Sequence, residues 1–530
     1  MFITMCELPR RRTLSINLTP LSKGETKNQK ETDTMNTFLN AMKQNDNYTL
    51  TENGAVTHKS TLNGLMDLFA LGGAYRTRSD ADCITLFKAA FDEDEAHALK
   101  CLFYLRDVRG GQGERRFFRV VTNWLASHET EAMRRNLQFV PEYGRWDDLY
   151  IFVDTPLEKD AFNLMRHQLA LDVSCKTPSL LAKWLKSENT SSKESRHLAV
   201  ITRNHFGMTA KQYRKTLSTL RERIRIVERL MSENRWDEIE FDKIPSRAGV
   251  IYRNAFARRD MIKAKYEAFA KDTETKVNAS ALYPHDIAHR AFEANRKGLG
   301  DPDRLMLQKY WENLPNYYGD NIENGIAVVD VSGSMVGVPM EAAVSMGAYI
   351  ADKAHGPFAN HFITFSGHPE LVKFEGADIT DKLWRCIGAD WGMNTNIEAV
   401  FDMLLSTAMK QSVKPEDMPT RVYIFSDMEF DRCVVSNSTD RGGWGCGMHS
   451  DAIQTLFESM KAKWARYGYK MPSCIFWNLN ARNNNIPAIG DGFSYVSGFS
   501  PVMIQQILSG KDGLDLVLEK LDSERYAQIH

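Results

Sequence analysis

Cysteine is scarce in this chain, eight in 530 residues, and no two of them form a C-x-x-C pair. That argues against a disulfide scaffold and a thiolate zinc site, and it fits a reducing, cytoplasmic setting. No window approaches roughly 18 consecutive apolar residues, which excludes a membrane-spanning helix. The opening MFITMCELPRRRTLS holds no apolar core of signal-peptide length ahead of its charges, so export is not expected. Catalytic signatures are missing too: there is no H-E-x-x-H, G-x-S-x-G, Walker sequence or Cys–His signature. The expectation is a protein that is not an enzyme. His285 and Asp286, in YPHDIAH, could do acid–base work, but an Asp just after a proline reads first as a helix cap.

What is present is a globular balance, 43% hydrophobic and 25% charged residues, on a chain too long for one ordinary core. The net charge of −1 hides an asymmetry. Residues 1–321 carry 50 Lys+Arg against 43 Asp+Glu, and residues 322–530 carry 17 against 25. Two regions of opposite character meet near residue 320 and need not touch the same partners.

Residues 1–34 are polar, without sustained periodicity, and read as a disordered extension or as sequence ahead of a start at Met35. From 35 to 320 the signal is helical. Leu62, Leu65, Leu68 and Phe69 share a face, and segments such as RRFFRVVTNWLASH and YRKTLSTLRERIRIVERLMS follow, broken by Gly110-Gly111, Pro141, Pro178 and Pro245. A row of helices with short breaks suits an irregular α-solenoid. From 322 to 530 the pattern alternates. GIAVVDVSGS, HFITFS, RVYIFSDMEF and PSCIFWNLN read as buried strands, with EAAVSMGAYIADKA, NIEAVFDMLLSTAMK and AIQTLFESMKAKWARYG as the helices between them. That is the signature of a doubly wound α/β region, a parallel sheet covered on both faces. The expected fold is therefore multidomain, all-α and then α/β.

The strongest chemical signal is Asp330-x-Ser332-x-Ser334, directly after the apolar run Ile326–Val329. Ligands of open parallel sheets gather beyond the carboxyl ends of the strands. One carboxylate and two hydroxyls are hard oxygen donors suited to Mg²⁺. Thr395, in WGMNTNI, precedes a helix, and Asp427, in YIFSDMEF, ends another buried strand. This ordered set resembles the von Willebrand factor A fold and its metal-ion-dependent adhesion site, which uses D-x-S-x-S, then Thr, then Asp. The resemblance implies a metal site of Asp330, Ser332, Ser334, Thr395 and Asp427 for Mg²⁺ (or Mn²⁺). The serines would bind directly and the others directly or through water, leaving one position for an acidic group from a protein partner. The bland reading is a domain that keeps the fold with an empty site. Asp390, Glu429 and Asp431 add carboxylates nearby, and metal-assisted hydrolysis is a minor third reading.

The most basic stretch runs from Lys183 to Leu230. Its twelve cations are Lys183, Lys186, Lys193, Arg196, Arg203, Lys211, Arg214, Lys215, Arg221, Arg223, Arg225 and Arg229, against four glutamates. That is a footprint for a polyanion, with Trp184, His197, His205 and Tyr213 interleaved as platforms for unpaired bases. RDVRGGQGERR adds Arg106, Arg109, Arg115 and Arg116 around glycines that permit close backbone approach, and YGRWDDLY adds Arg145 and Trp146. The competing reading is a solvated basic face, with the tryptophans in the core between helices.

These two motifs, the LLAKWLKSENTSSKESRHLA and KIPSRAGVIYRNAF segments and the A-type region together resemble a family catalogued as a domain of unknown function. That family in turn resembles the TROVE module of the Ro ribonucleoprotein, in which HEAT-like helical repeats close into a ring completed by a von Willebrand A domain. The resemblance implies an RNA-binding protein, with single-stranded ends in a basic hole and small structured RNAs outside. By charge, the RNA candidates are Lys183, Arg203, Lys211, Arg214 and Lys215, then Arg106, Arg109 and Arg115. The alternative is a metal-dependent protein-interaction scaffold without RNA.

Overall fold

The computed structural model describes residues 46–224, 226–295, 300–322, 324–365, 368–388, 395–431 and 455–530. The extension at 1–34, the start at Met35, Arg225 and Asp390 lie outside those residues. Tyr48–His530 packs as one unit.

That unit begins with a small antiparallel hairpin, β1 (Tyr48–Leu50) and β2 (Val56–His58), with Tyr48 opposite His58. Its turn contains Asn53-Gly54, and Gly54 adopts φ +84°, the left-handed region that glycine enters without strain. Helices follow, and polar caps start several of them. Asn63 accepts from the Met66 amide (2.8 Å) and opens α1 (Gly64–Leu71). Asp94 accepts from the His97 amide (3.0 Å) and opens α2 (Glu95–Arg106). Ser192 opens α3 (Lys193–His205), and a Thr209–Gln212 capping box opens α4 (Ala210–Arg223). The helical region continues through α5 (Ser246–Arg258) and α6 (Pro284–Asn295) to a last helix at Asp301–Glu312.

A mixed six-stranded sheet follows, in the order β5-β4-β3-β6-β7-β8. Its strands are β3 (Gly325–Val329), β4 (His361–Thr364), β5 (Leu371–Lys373), β6 (Arg421–Ser426), β7 (Ser473–Asn478) and β8 (Phe493–Ser497). All neighbours are parallel except β4 and β5. Every residue of β3 and β8 is buried, as is all but the first of β6 and β7. Side chains alternate between the two faces of a strand, so unbroken burial means that both faces are covered. The expectation of a purely parallel sheet is corrected at one edge. β5 is a three-residue antiparallel strand with alternating exposure, too short to leave a period in the sequence.

Connections between the helical region and the sheet are polar as well as apolar. Ser497 Oγ accepts from the Gly73 amide (2.9 Å) and donates to the Phe69 carbonyl (2.7 Å), tying β8 to the end of α1. Gln112 Oε1 accepts from the Ser500 amide (3.0 Å), and Trp384 Nε1 donates to the Ala291 carbonyl (2.9 Å). At the C-terminus, Arg525 grips the buried Asp107 carboxylate with both Nε and Nη2, and Tyr526 Oη donates to it at 3.0 Å. Among the described residues no helix is long and apolar enough to cross a membrane.

Asp107→Ala would take the carboxylate from Arg525 and leave the buried Tyr526 hydroxyl only the Gly110 carbonyl (3.1 Å). The expected loss is about 1.5–3 kcal/mol in urea unfolding, the range for hydrogen bonds to a charged group, because Arg525 is 33% exposed and is not stranded away from water. A loss below about 1 kcal/mol, typical of an exposed pair, would contradict this role for Asp107.

Candidate functional site

The ladder between β3 and β6 pairs Val329 with Phe425 and runs one bond further, the Asp330 amide donating to the Phe425 carbonyl at 3.0 Å. Asp330 and Asp427 therefore leave the sheet side by side, at the carboxyl ends of adjacent parallel strands. Both are buried. Asp330 Oδ1 accepts from the Ser332 amide (2.8 Å) and Oδ2 from Ser426 Oγ (2.6 Å). Ser426 Oγ in turn accepts from the Met428 amide (3.0 Å), which fixes its hydroxyl proton on Asp330. The Ser332 and Ser334 hydroxyls lie 3.0 Å apart.

Thr395 joins the same edge of the sheet. Its amide and hydroxyl both donate to Asp431 (3.0 and 2.7 Å), and its Oγ1 accepts from Asn53 Nδ2 (2.8 Å). Asn53 Nδ2 also donates to the Glu429 carbonyl (2.6 Å), two residues past Asp427. With the hydroxyl proton committed to Asp431, one Thr395 lone pair is left over. Asp330, Ser332, Ser334 and Asp427 thus come together at two strand ends, and Thr395 is tied to them through Asn53 and Asp431.

The electrostatics ask for a cation. Burial, and then the neighbouring Asp427 carboxylate, push Asp330 up to about 7. Asp427 Oδ1 accepts from the Glu429 amide (3.2 Å), whereas its buried Oδ2 has no hydrogen-bond donor. Two facing carboxylates, one with an orphaned buried oxygen, and a set of hydroxyls fit a hard divalent ion. Among the described residues no group of three or more His, Cys, Asp or Glu side chains is placed to hold a metal ion, so the strand-end set rests on two carboxylates and hydroxyls alone.

Neighbouring carboxylates have other work. Glu429 accepts from the Glu52 amide and from Asn483 Nδ2, both at 2.8 Å, and clamps the hairpin turn. Asp431 holds Thr395. Asp286 lies third in α6 and accepts from the Tyr283 amide (3.0 Å) and from Arg247 (2.8 Å), closing the helix start from inside rather than as the cap residue expected. His285 is pushed down to about 4 by burial.

The basic candidates separate into three groups. Lys183 pairs with Glu228 (3.4 Å), and Arg203 and Arg214 share Glu188 (3.0 and 3.3 Å). Lys211 and Lys215 are exposed, four residues apart on α4. Arg106, Arg109 and Arg115 lie apart from these, where the two arginine-rich motifs meet. Arg106 is 2% exposed and forks onto buried Asp148 (2.9 and 2.6 Å), so it does not face a surface ligand. Arg115 pairs with Asp147 (2.8 Å), while exposed Arg109 donates to the Glu142 carbonyl (3.2 Å). Burial opposes ionisation of Asp148, yet Arg106, Arg119 and Arg115 overcome it and hold the carboxyl below its usual range.

The glycines of GGQG serve packing against protein. A Cβ at Gly111 would collide with the Tyr104 carbonyl, and the loop turns back on α2 through the Gln112 amide to Tyr104 O (3.2 Å) and the Glu114 amide to Leu105 O (2.7 Å). Arg145 covers the Trp184 ring at 4.1 Å, and the Tyr213 hydroxyl donates to the Lys186 carbonyl at 2.8 Å. These rings are internal joints rather than open platforms.

Sequence reasoning missed Glu52, Asn53, Ser426 and Arg482, all of which touch the proposed ligands or their neighbours. The Asn53-Gly54 pair is a hairpin signal that could have placed the first two. Ser426 shows only as a polar residue ending an apolar strand, and nothing in the sequence marks Arg482.

Two substitutions test the site. Asp330→Ala should weaken Mn²⁺ binding, followed by electron paramagnetic resonance, by about 100-fold or more. Ser426→Ala should cost about 10–100-fold, as losses of outer partners do. Unchanged affinity in Asp330→Ala would remove the site.

A family model described as Domain of unknown function (DUF2828) matches residues 51–195 and 170–315, and one described as Domain of unknown function (DUF7788) matches residues 324–528. Uncharacterized protein L728 of Acanthamoeba polyphaga mimivirus is 30% identical, over 88% of this chain and 85% of its own length. With helices under the first model, the sheet and its strand-end carboxylates under the second, and a relative of nearly full length, the chain belongs to the DUF2828 family.

Proposed function

We propose that this chain is a Ro-like RNA-binding protein, with a HEAT-like helical module for RNA and a von Willebrand factor A-like region that carries Mg²⁺ (or Mn²⁺), acting in the cytoplasm. In this reading Asp330, Ser332, Ser334, Thr395 and Asp427 hold the ion. The bound ion supplies a Lewis-acidic position for an anionic group. The chain's own residues keep two carboxylates side by side, fix the Ser426 proton on Asp330 and the Thr395 proton on Asp431, and limit the site's exposure to water.

The observation that carries the RNA reading is a cavity of about 630 Å³ bordered by Lys183, Arg214, Arg221 and Arg229 and also by Glu188, Glu228 and Glu233, with Arg221 the one of these cations that meets no carboxylate among the described residues. Arg221 gives its Nε, Nη2 and Nη1 hydrogens to the Ala182 and Leu185 carbonyls and to Ser187 Oγ (2.8, 2.7 and 2.9 Å). All three acceptors are neutral, so its charge stays uncompensated at the groove. Exposed Lys211 and Lys215 lie on the same helix, where a phosphate backbone leaving the groove would meet them. Such binding is driven by counterion release and weakens steeply with salt.

A second reading, a metal-dependent protein-interaction scaffold, draws on Glu188 and Glu228, which neutralise Lys183, Arg203 and Arg214 and reduce the field of the groove. There the metal would receive an Asp or Glu of the partner. Capture that is abolished by EDTA and recovers no RNA would favour it.

Filter binding of single-stranded and small structured RNAs at two salt concentrations separates the readings. The RNA reading expects salt-dependent binding, with K211E/K215E weakening it about tenfold or more and lowering the salt slope by about 2. No RNA affinity, or affinity indifferent to salt, would contradict it.

A further inference from the structure

The loop after β7 brings a cation to the proposed metal site. Asn480 Nδ2 donates to the Ser334 carbonyl (3.3 Å), and two residues on, Arg482 reaches Asp427. Its Nη2 stands 3.3 Å from Asp427 Oδ2, the buried oxygen without a hydrogen-bond donor. Its Nη1 pairs with Glu52 Oε2 at 2.7 Å. Glu52 sits in the turn of the β1–β2 hairpin, and its other oxygen accepts from Asn483 Nδ2 (3.0 Å). One guanidinium therefore links a proposed metal ligand to a hairpin more than 370 residues earlier in the chain.

We propose that Arg482 is a displaceable internal counter-cation of the metal site, tethered to the β1–β2 hairpin by Glu52, so that metal binding is coupled to how the hairpin docks. This rests on the metal-site reading above. Asp427 Oδ2 lacks a hydrogen-bond donor, and a cation is one group that relieves it. Arg482 touches it from 3.3 Å without the geometry of a hydrogen bond, a contact that is easily surrendered. A divalent ion on the same oxygen carries twice the charge and repels the guanidinium at close range in a half-buried setting. Arg482 keeps Glu52 as a partner when it leaves Asp427, so displacement strands no charge. Arg482 is a positioning residue, and Glu52 acts on the metal through it.

Mn²⁺ affinity followed by electron paramagnetic resonance tests the coupling. Arg482→Gln should bind Mn²⁺ at least about fivefold more tightly, because a competing cation is gone. Glu52→Gln should bind about threefold more weakly, since Arg482 then has only Asp427, and it should have no effect in the Arg482→Gln background. A gain in affinity cannot come from misfolding. Unchanged or weaker binding in Arg482→Gln, or a Glu52→Gln effect that persists without Arg482, would overturn the proposal. Asp330→Ala in the same titration keeps the two levels apart. If it binds like wild type, the metal site itself fails; if it abolishes binding while Arg482→Gln is neutral, the site stands and only the coupling fails.

Discussion

Two carboxylates held out of water at the ends of neighbouring parallel strands set the terms for the sheet region. Burying one ionised carboxylate is costly, and burying two side by side costs more because each opposes the ionisation of the other. The pairing of β3 with β6 enforces the neighbourhood, since a ladder running from Gly325 to Asp330 leaves Asp330 and Asp427 no room to diverge. The polar residues around them answer that burden. Ser426 donates to Asp330, the Ser332 and Glu429 amides cap the free oxygens, and Arg482 approaches the one that remains. A hard divalent ion completes such a set more fully than a guanidinium at 3.3 Å.

The helical region spends its charge differently. Where RDVRGGQGERR meets YGRWDDLY, the two aspartates Asp147 and Asp148 are shared by four arginines, Arg106, Arg115, Arg119 and Arg145, each of which reaches a carboxylate. Those residues fasten helices together, and Asp107 extends the fastening to the C-terminal Arg525 and Tyr526. Around α4 the match is incomplete, because Arg221 has only neutral acceptors while Lys211 and Lys215 face outward. A polyanion recognises cations that lack an acidic partner, here, among the described residues, Arg221 at the cavity and Lys211 and Lys215 on the exposed face of the same helix, whereas paired ones stabilise the fold.

The sequence made the long buried strands and the carboxylates at their ends legible because both are local. β3, β4, β6 and β7 are apolar runs, and Asp330 and Asp427 follow two of them directly. β8 was missed because FSYVS lies between glycines and serines and resembles a loop, although all five of its residues are buried. β5 is too short to show a period. The partition of the arginines was illegible for a different reason: whether a cation is free or paired depends on carboxylates far away in the chain, such as Asp148 for Arg106 and Glu188 for Arg203. The hairpin over the proposed metal site has the same origin, since Asn53 meets Thr395 across a separation of 342 positions.

The most direct test is anomalous diffraction from crystals of the whole chain soaked in Mn²⁺. The account predicts one strong peak between Asp330, Ser332, Ser334 and Asp427, at oxygen-ligand distance from the hydroxyls and with Arg482 drawn away from Asp427. A map with no peak there, and with the guanidinium still against Asp427, would contradict it.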